Sequence, residues 1–235
     1  MQTDTILLIP QKADEERESV LRTWKNLGGE GRRLDRFWEK PADLADKKVA
    51  VYGNDTFALV LAQIYDLKLI SPDDTLISRL DKKWTKRSIQ EKNISDIGEK
   101  KFPIFIKPVT PKQFKAKVYD SVNEFLQETK GISPAEKILI SGIIRVDAEA
   151  RAFVLNRRLL DVAIYEGVGE LQTGKEFLLD FLKDSTFDLP NTIVIDIGYN
   201  SDQAWFIVEF NSCWGAGLNN CDPTKVIEAI IEASQ

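Results

Sequence analysis

Apolar positions along this chain follow two rhythms, and their alternation predicts the fold class. TILLIP (5–10) is an apolar run of strand length, and the charged stretch from Asp14 to Asn26 after it is helical in composition. A glycine break at Gly28–Gly31 follows, then KKVAVYG (47–53) as a second strand. Behind Gly53, Phe57, Leu61 and Ile64 recur at helical spacing with Asn54 placed as N-cap, and LKLIS (67–71) reads as another short strand. Strands and helices alternating in this way predict an α/β protein with an open, mostly parallel sheet. This Rossmann-like unit is expected to occupy residues 1–80. It lacks G-x-G-x-x-G, and GGEG at 28–31 follows a helical run rather than a strand, so a turn explains those glycines better than a dinucleotide site.

The stretch 71–93 is helical in composition, with Lys82, Lys83, Lys86 and Arg87 crowded into a few turns, and a solvated helix face is the default for such a run. The pattern then turns β-rich. FPIFIKPV (102–109), KAKVYDS (115–121) and KILISGIIRV (137–146) read as strands, with a short helix around Val122 to Thr129. EARAFVLNRRLLDVAIYEG (149–167) predicts a hairpin about Asn156-Arg157-Arg158, and NTIVIDIGYNSDQAWFIVEFN (191–211) predicts another about Tyr199 to Gln203. DPTKVIEAIIEAS is an amphipathic helix with Asp222 as N-cap and Pro223 in its first turn. Residues 81–235 are therefore expected to form a second domain built on antiparallel hairpins.

Composition narrows the chemistry. With 235 residues, 43% of them hydrophobic, the chain can bury a sizeable core as one large domain or as two lobes flanking a cleft. Its apolar runs fall far short of the roughly 20 residues needed to cross a bilayer. The first residues, MQTDTILLIPQKADEE, carry no basic n-region or cleavable apolar stretch, which predicts a cytoplasmic protein. Cys213 and Cys221 lack metal or redox spacing and read as reduced, packed thiols. No histidine occurs, so imidazole is excluded as base, ligand or partner of a nucleophile. Chemistry must rest on carboxylates, lysine, arginine and bound metal. The net charge of −5 argues against nucleic acid as a partner, and the basic run 79–92 has no interleaved aromatic beyond Trp84.

Glu209 and Asn211 are two residues apart on one predicted strand and so point to the same face. If the hairpin turns through a four-residue loop, Ser201 to Ala204, then Asp196 lies directly across from Glu209. Two opposed carboxylates destabilise the ladder unless a positive group lies between them. Such oxygen ligands suit Mg²⁺, which favours one or two carboxylates plus substrate phosphates; the alternative is a solvated sheet face. Lys107 sits within an apolar strand and needs an anion, either a phosphate or an internal carboxylate. Arg151 has the same choice, with Glu149 on its own strand face as the internal partner. The loop carrying Trp214, Gly215 and Gly217 admits two readings, a backbone approach to ligand or a tight turn.

Taken together, KILISGIIRVDAEARAFVL, IVIDIGYNSDQAWFIVEFN and the IKP of FPIFIKPV resemble the ATP-grasp family. WTKRSIQ, AEARAFVL and VEFNSCWGAGLNNCDPTKVIEAI narrow the resemblance to the clade named for two arginines and one lysine, family 3 type. The resemblance runs from about Tyr52 onward and implies an ATP-grasp domain preceded by a pre-ATP-grasp α/β unit. It implies that Lys107 contacts ATP phosphates, that Asp196, Glu209 and Asn211 hold Mg²⁺, and that Arg87 and Arg151 face phosphate or an acyl-phosphate intermediate. Backbone over Ser141, Ile143 and Ile144 would form the adenine hinge, with Glu149 nearby as an ATP-facing residue and candidate base. Gly142 departs from the acidic residue many such proteins have there. The implied activity is ATP- and Mg²⁺-dependent ligation of a carboxylate to an amine, the substrates extending to peptides or proteins. The alternative is a nucleotide-binding module without turnover that acts through a protein partner.

Overall fold

Strand β1 (Ile6–Pro10) is buried on both faces from Ile6 to Ile9, as the central strand of a parallel sheet must be. The computed structural model describes residues 4–234, and in it β1 lies between β2 (Glu30–Leu34) and β3 (Val49–Val51), parallel to both. Helix α1 (Glu15–Asn26) is capped by Asp14, and α2 (Asp55–Tyr65) by Asn54, whose side chain accepts the Phe57 amide. Two expectations need correction here. Gly31 lies inside β2 rather than in a break, because a Cβ there would fall 2.2 Å from Leu21 Cδ1 of α1. The run 67–71 forms no strand; Leu69 makes only an isolated bridge to Ser234.

The basic stretch is not one helix. It contains a 3-10 turn (Leu76–Arg79), a single helical turn α3 (Lys82–Thr85) and a strand, β4 (Ile89–Asn93). With β5 (Ile104–Pro108), β6 (Lys117–Tyr119) and β7 (Lys137–Ser141) it forms an antiparallel sheet ordered β4-β7-β5-β6. At the edge of that sheet β4 is only partly buried, so its polar composition costs little. One face of the sheet packs Ile106, Tyr119, Ile138 and Ile140 against Phe125 of α4 (Val122–Glu128).

The third sheet, ordered β11-β10-β8-β9, is also antiparallel: β8 (Ala148–Leu155), β9 (Arg158–Gly167), β10 (Thr192–Asn200) and β11 (Ala204–Asn211). Asn156 and Arg157 both take positive φ, 50° and 60°, as a two-residue β8–β9 turn requires. Alternation gives the sheet two apolar faces. Ala150, Ala152, Ile193 and Ile195 pack against Leu178 and Phe181 of α5 (Leu171–Lys183). Phe153, Leu155 and Val194 join a core that also holds β1, β3 and Val226, Ile227 and Ile230 of α6 (Pro223–Glu232). Among the described residues no helix is long and apolar enough to cross a membrane.

Candidate functional site

Where Ile106, Ile138 and Ile140 face the middle sheet's own core, period-two alternation turns Phe105, Lys107, Leu139 and Ser141 to its other face. These four line a cavity of about 100 Å³, closed on the far side by Val208 and Glu209 of β11. A second cavity of about 460 Å³ shares Ile77, Phe105, Lys107 and Glu209 with it and extends to Asn211 and the β5–β6 loop. A third, of about 540 Å³, shares Asp74, Lys112 and Asn211 with the second and reaches Asp55 and Leu59 of α2. The result is one continuous cleft between the two antiparallel sheets and the N-terminal unit.

Asp196 and Glu209 stand directly opposite each other, by a route that differs from the expected loop. The strands close at Asn200 and Ala204, leaving three loop residues rather than four, and a bulge between Asp196 and Ile197 restores the alignment. Val208 is the extra residue. Asn211 Nδ2 donates to Asp196 Oδ2 and to Glu209 Oε1, both at 3.1 Å. No side chain lies between the two carboxylates; the positive group beside them is Arg151, one strand over, on the far side of Asp196 from Glu209. Its Nε donates to Asp196 Oδ1 at 2.8 Å and its Nη2 to Oδ2 at 2.7 Å. Burial raises the Asp196 carboxyl and Glu209 adds to the rise while Arg151 pulls it down, the balance lying at about 6.

Across the cleft, Lys107 Nζ lies 3.9 Å from Glu209 Oε2, and both side chains are part-exposed to the cavity. Among the described residues no three His, Cys, Asp or Glu side chains cluster as a metal cage. Glu209 and Asn211 border the cavities, whereas Asp196 borders none and both its oxygens accept from Arg151; two carboxylates and an amide are the donor types that suit Mg²⁺ completed by phosphate oxygens.

The other residues singled out by sequence are distributed unevenly. Ser141 lines the smallest cavity. Ile143 is exposed on the segment after β7, and Ile143, Ile144 and Glu149 line none of the three cavities. Glu149 does not pair with Arg151; it accepts a hydrogen bond from Tyr165, whose hydroxyl pKa burial drives upward. Arg87 borders the smallest cavity, but Nη1 donates to the carbonyls of Thr85 and Ile207, and Nη2 to that of Val208. Burial without a carboxylate partner lowers the Arg87 pKa to about 10. Sequence reasoning missed Asp74 and Lys112, which lie in polar loop-like stretches with no motif. It also missed Glu16, which accepts the backbone amides of Leu218 and Asn219 at 3.0 and 2.7 Å. Glu16 thereby holds the loop whose Gly217 carbonyl accepts Arg151 Nη1 at 3.0 Å.

The fold and its inter-sheet cleft are those of the ATP-grasp class. The D-alanine–D-alanine ligase of Bacillus anthracis superposes with a TM-score of 0.52 at 13% identity, covering 97% of this chain and 96% of the ligase. The D-cycloserine synthetase DcsG gives 0.58 at 12% identity, covering 97% and 99%. The ATP-grasp ligase PsnB, solved with a minimal precursor, gives 0.53 at 11% identity, covering 99% and 100%. No curated protein matches in sequence. Residues 84–229 match the family described as an ATP-grasp domain, family 2 of the clade of two arginines and one lysine, and the chain belongs to that family. The expected family 3 is corrected by this match to family 2; the motifs quoted resemble the clade as a whole and do not separate its branches.

Proposed function

We propose that this protein is an ATP- and Mg²⁺-dependent ligase that activates a carboxylate as an acyl phosphate and joins it to an amine, peptides and proteins included among the substrates. The observation that carries this reading is the approach of Lys107 to Glu209 across the cleft, beside Asp196 and Asn211. A cation and an oxygen donor set on opposite walls leave a charged gap suited to phosphates.

In this reading Asp196, Glu209 and Asn211 would hold Mg²⁺, which would supply positive charge to the transferring phosphoryl group. Lys107 draws the γ-phosphate oxygens from the other wall. A substrate carboxylate oxygen attacks the γ-phosphorus, the bond to ADP breaks, and an acyl phosphate forms. The amine nitrogen then bonds to the acyl carbon, the carbon–oxygen bond to phosphate breaks, and the amine proton leaves with phosphate. Arg151 fixes the plane of the Asp196 carboxylate and ties it to the 217 carbonyl, so the metal donors are oriented before nucleotide arrives. Arg87 holds β11 at its Ile207 and Val208 carbonyls and places a positive charge at the cavity wall.

Calorimetric titration of ATP with and without Mg²⁺ tests the site. Magnesium-dependent binding that disappears in Glu209→Ala and weakens in Lys107→Ala is expected, followed by amine-dependent ADP release in a substrate screen. ATP binding that survives both substitutions together would overturn the assignment.

A further inference from the structure

The cavity next to α2 has a charge pattern that nucleotide binding leaves unexplained. Three charged side chains line it: Asp55, Asp74 and Lys112. Lys112 Nζ is 2.6 Å from Asp55 Oδ2, so that pair is internally neutralised. Asp74 makes no hydrogen bond or ion pair among the described residues. It stands at the seam, lining both this cavity and the one that holds Lys107 and Glu209. The rest of the wall is largely apolar. Leu59 of α2 is 54% exposed toward solvent, and Trp214 is buried with its indole fixed by Nε1 donating to Ser71 Oγ at 3.2 Å.

We infer that this cavity binds the acceptor of the ligation as a primary ammonium on an apolar body with no carboxylate beside it, an inference that rests on the ligase reading of the neighbouring site. Asp74 receives the ammonium, since a free carboxylate facing a cavity is matched by a cationic donor. Leu59 and Trp214 receive the apolar body. A free α-amino acid would bring a carboxylate next to Asp74 and Asp55, and the one cation of the wall is already held by Asp55. Amino-acid amides, simple alkylamines and peptide N-termini satisfy the pattern. The ammonium passes its extra proton to the Asp74 carboxylate or to solvent, and the neutral amine then faces the cavity in which the acyl phosphate forms, its second proton leaving with phosphate. Partial burial raises the Asp74 pKa while Lys107 lowers it.

The test titrates phenylalaninamide, N-acetylphenylalaninamide and phenylalanine into the full chain, with and without Mg²⁺ and ATP, following heat and tryptophan fluorescence. Phenylalaninamide is expected to bind at least tenfold more tightly than the other two. Asp74→Asn should lose at least tenfold for phenylalaninamide while binding of N-acetylphenylalaninamide, which carries no ammonium, stays as in the parent. Replacing phenylalaninamide by n-hexylamine or by a peptide amide with N-terminal phenylalanine distinguishes a small amine from a peptide acceptor. Equal binding of the acetylated compound, phenylalanine binding as tightly as its amide, or an unaffected Asp74→Asn variant would overturn the inference and leave the ligase reading standing. Absent ATP binding would sink the ligase reading and with it the acceptor role; the nucleotide-free titration is distinguishable from that failure, since lost amine selectivity with intact ATP binding overturns this inference alone.

Discussion

Arg151 and Asp196 form a two-pronged ion pair inside the C-terminal sheet, with side chains only 11% and 2% exposed. Removing one partner strands the other charge away from water. We expect Asp196→Ala to lower stability by about 3–5 kcal/mol, and the double replacement Arg151→Met with Asp196→Leu to cost clearly less, because no uncompensated charge remains. Urea unfolding of the three proteins checks this, and a double variant as unstable as the single would refute it.

Lys107 should behave oppositely. Its contact with Glu209 is long, at 3.9 Å, and both side chains are a third or more exposed. Lys107→Met is therefore expected to change stability by less than about 1 kcal/mol. The same substitution should weaken Mg²⁺-dependent ATP binding at least tenfold in calorimetry. A large thermal shift with intact nucleotide binding would assign Lys107 to structure instead.

Gly217→Ala offers a test of the loop after β11. A Cβ would fall 2.4 Å from Glu16 Oε2, and Glu16 can yield only by giving up the Leu218 and Asn219 amides. A loss of about 1–3 kcal/mol is expected, the cost of leaving such groups unsatisfied. The loss should largely vanish when the substitution is made in a Glu16→Ala background, where nothing is left to displace.

Asp184 sets a pH dependence. Hydrogen bonds from Thr186, then from Lys83 and from Trp84, hold its carboxyl well below the usual carboxylate range. A depressed folded-state pKa contributes stability above the unfolded value, about 3.9, that is lost as pH falls below it. Asp184→Asn should thus be less stable than the parent at pH 7, with the gap closing below about pH 4. Thermal melts across that range would contradict this if the gap stayed constant.

The core under β1 predicts a long-range effect. Ile227 of α6 is buried in the same cluster as Leu8 and Val51. Ile227→Ala is expected to cost about 2–5 kcal/mol. Hydrogen exchange of the β1 and β3 amides should speed up with it, although the substitution is remote in sequence.

How much of this was legible beforehand depends on where each signal lives. The opposition of Asp196 and Glu209 follows from counting along a hairpin, and it survives because bulge and shorter loop offset each other. The caps at Asn54 and Asp222 and the β8–β9 turn were readable because they depend on a few adjacent residues. Strand β4 was not, since an edge strand pairs on one side only and its IQEKN carries no apolar alternation. Helix α5 has a helical apolar stripe, but Gly174 interrupts it where Trp205 packs, and that pairing is invisible without the fold. Arg151 choosing Asp196 over Glu149 is likewise a cross-strand fact: residues on neighbouring strands lie closer than alternate residues along one strand.

Helix α6 completes the core beneath a sheet whose strands are made much earlier by the ribosome. Until residues 223–232 leave the exit tunnel, the core that Leu8, Val51 and Tyr52 share with Val226, Ile227 and Ile230 lacks that helix. Small α/β units often finish folding as they emerge. Here the first-made sheet shares its core with a helix made far later, so the N-terminal unit cannot complete its packing from its own residues alone.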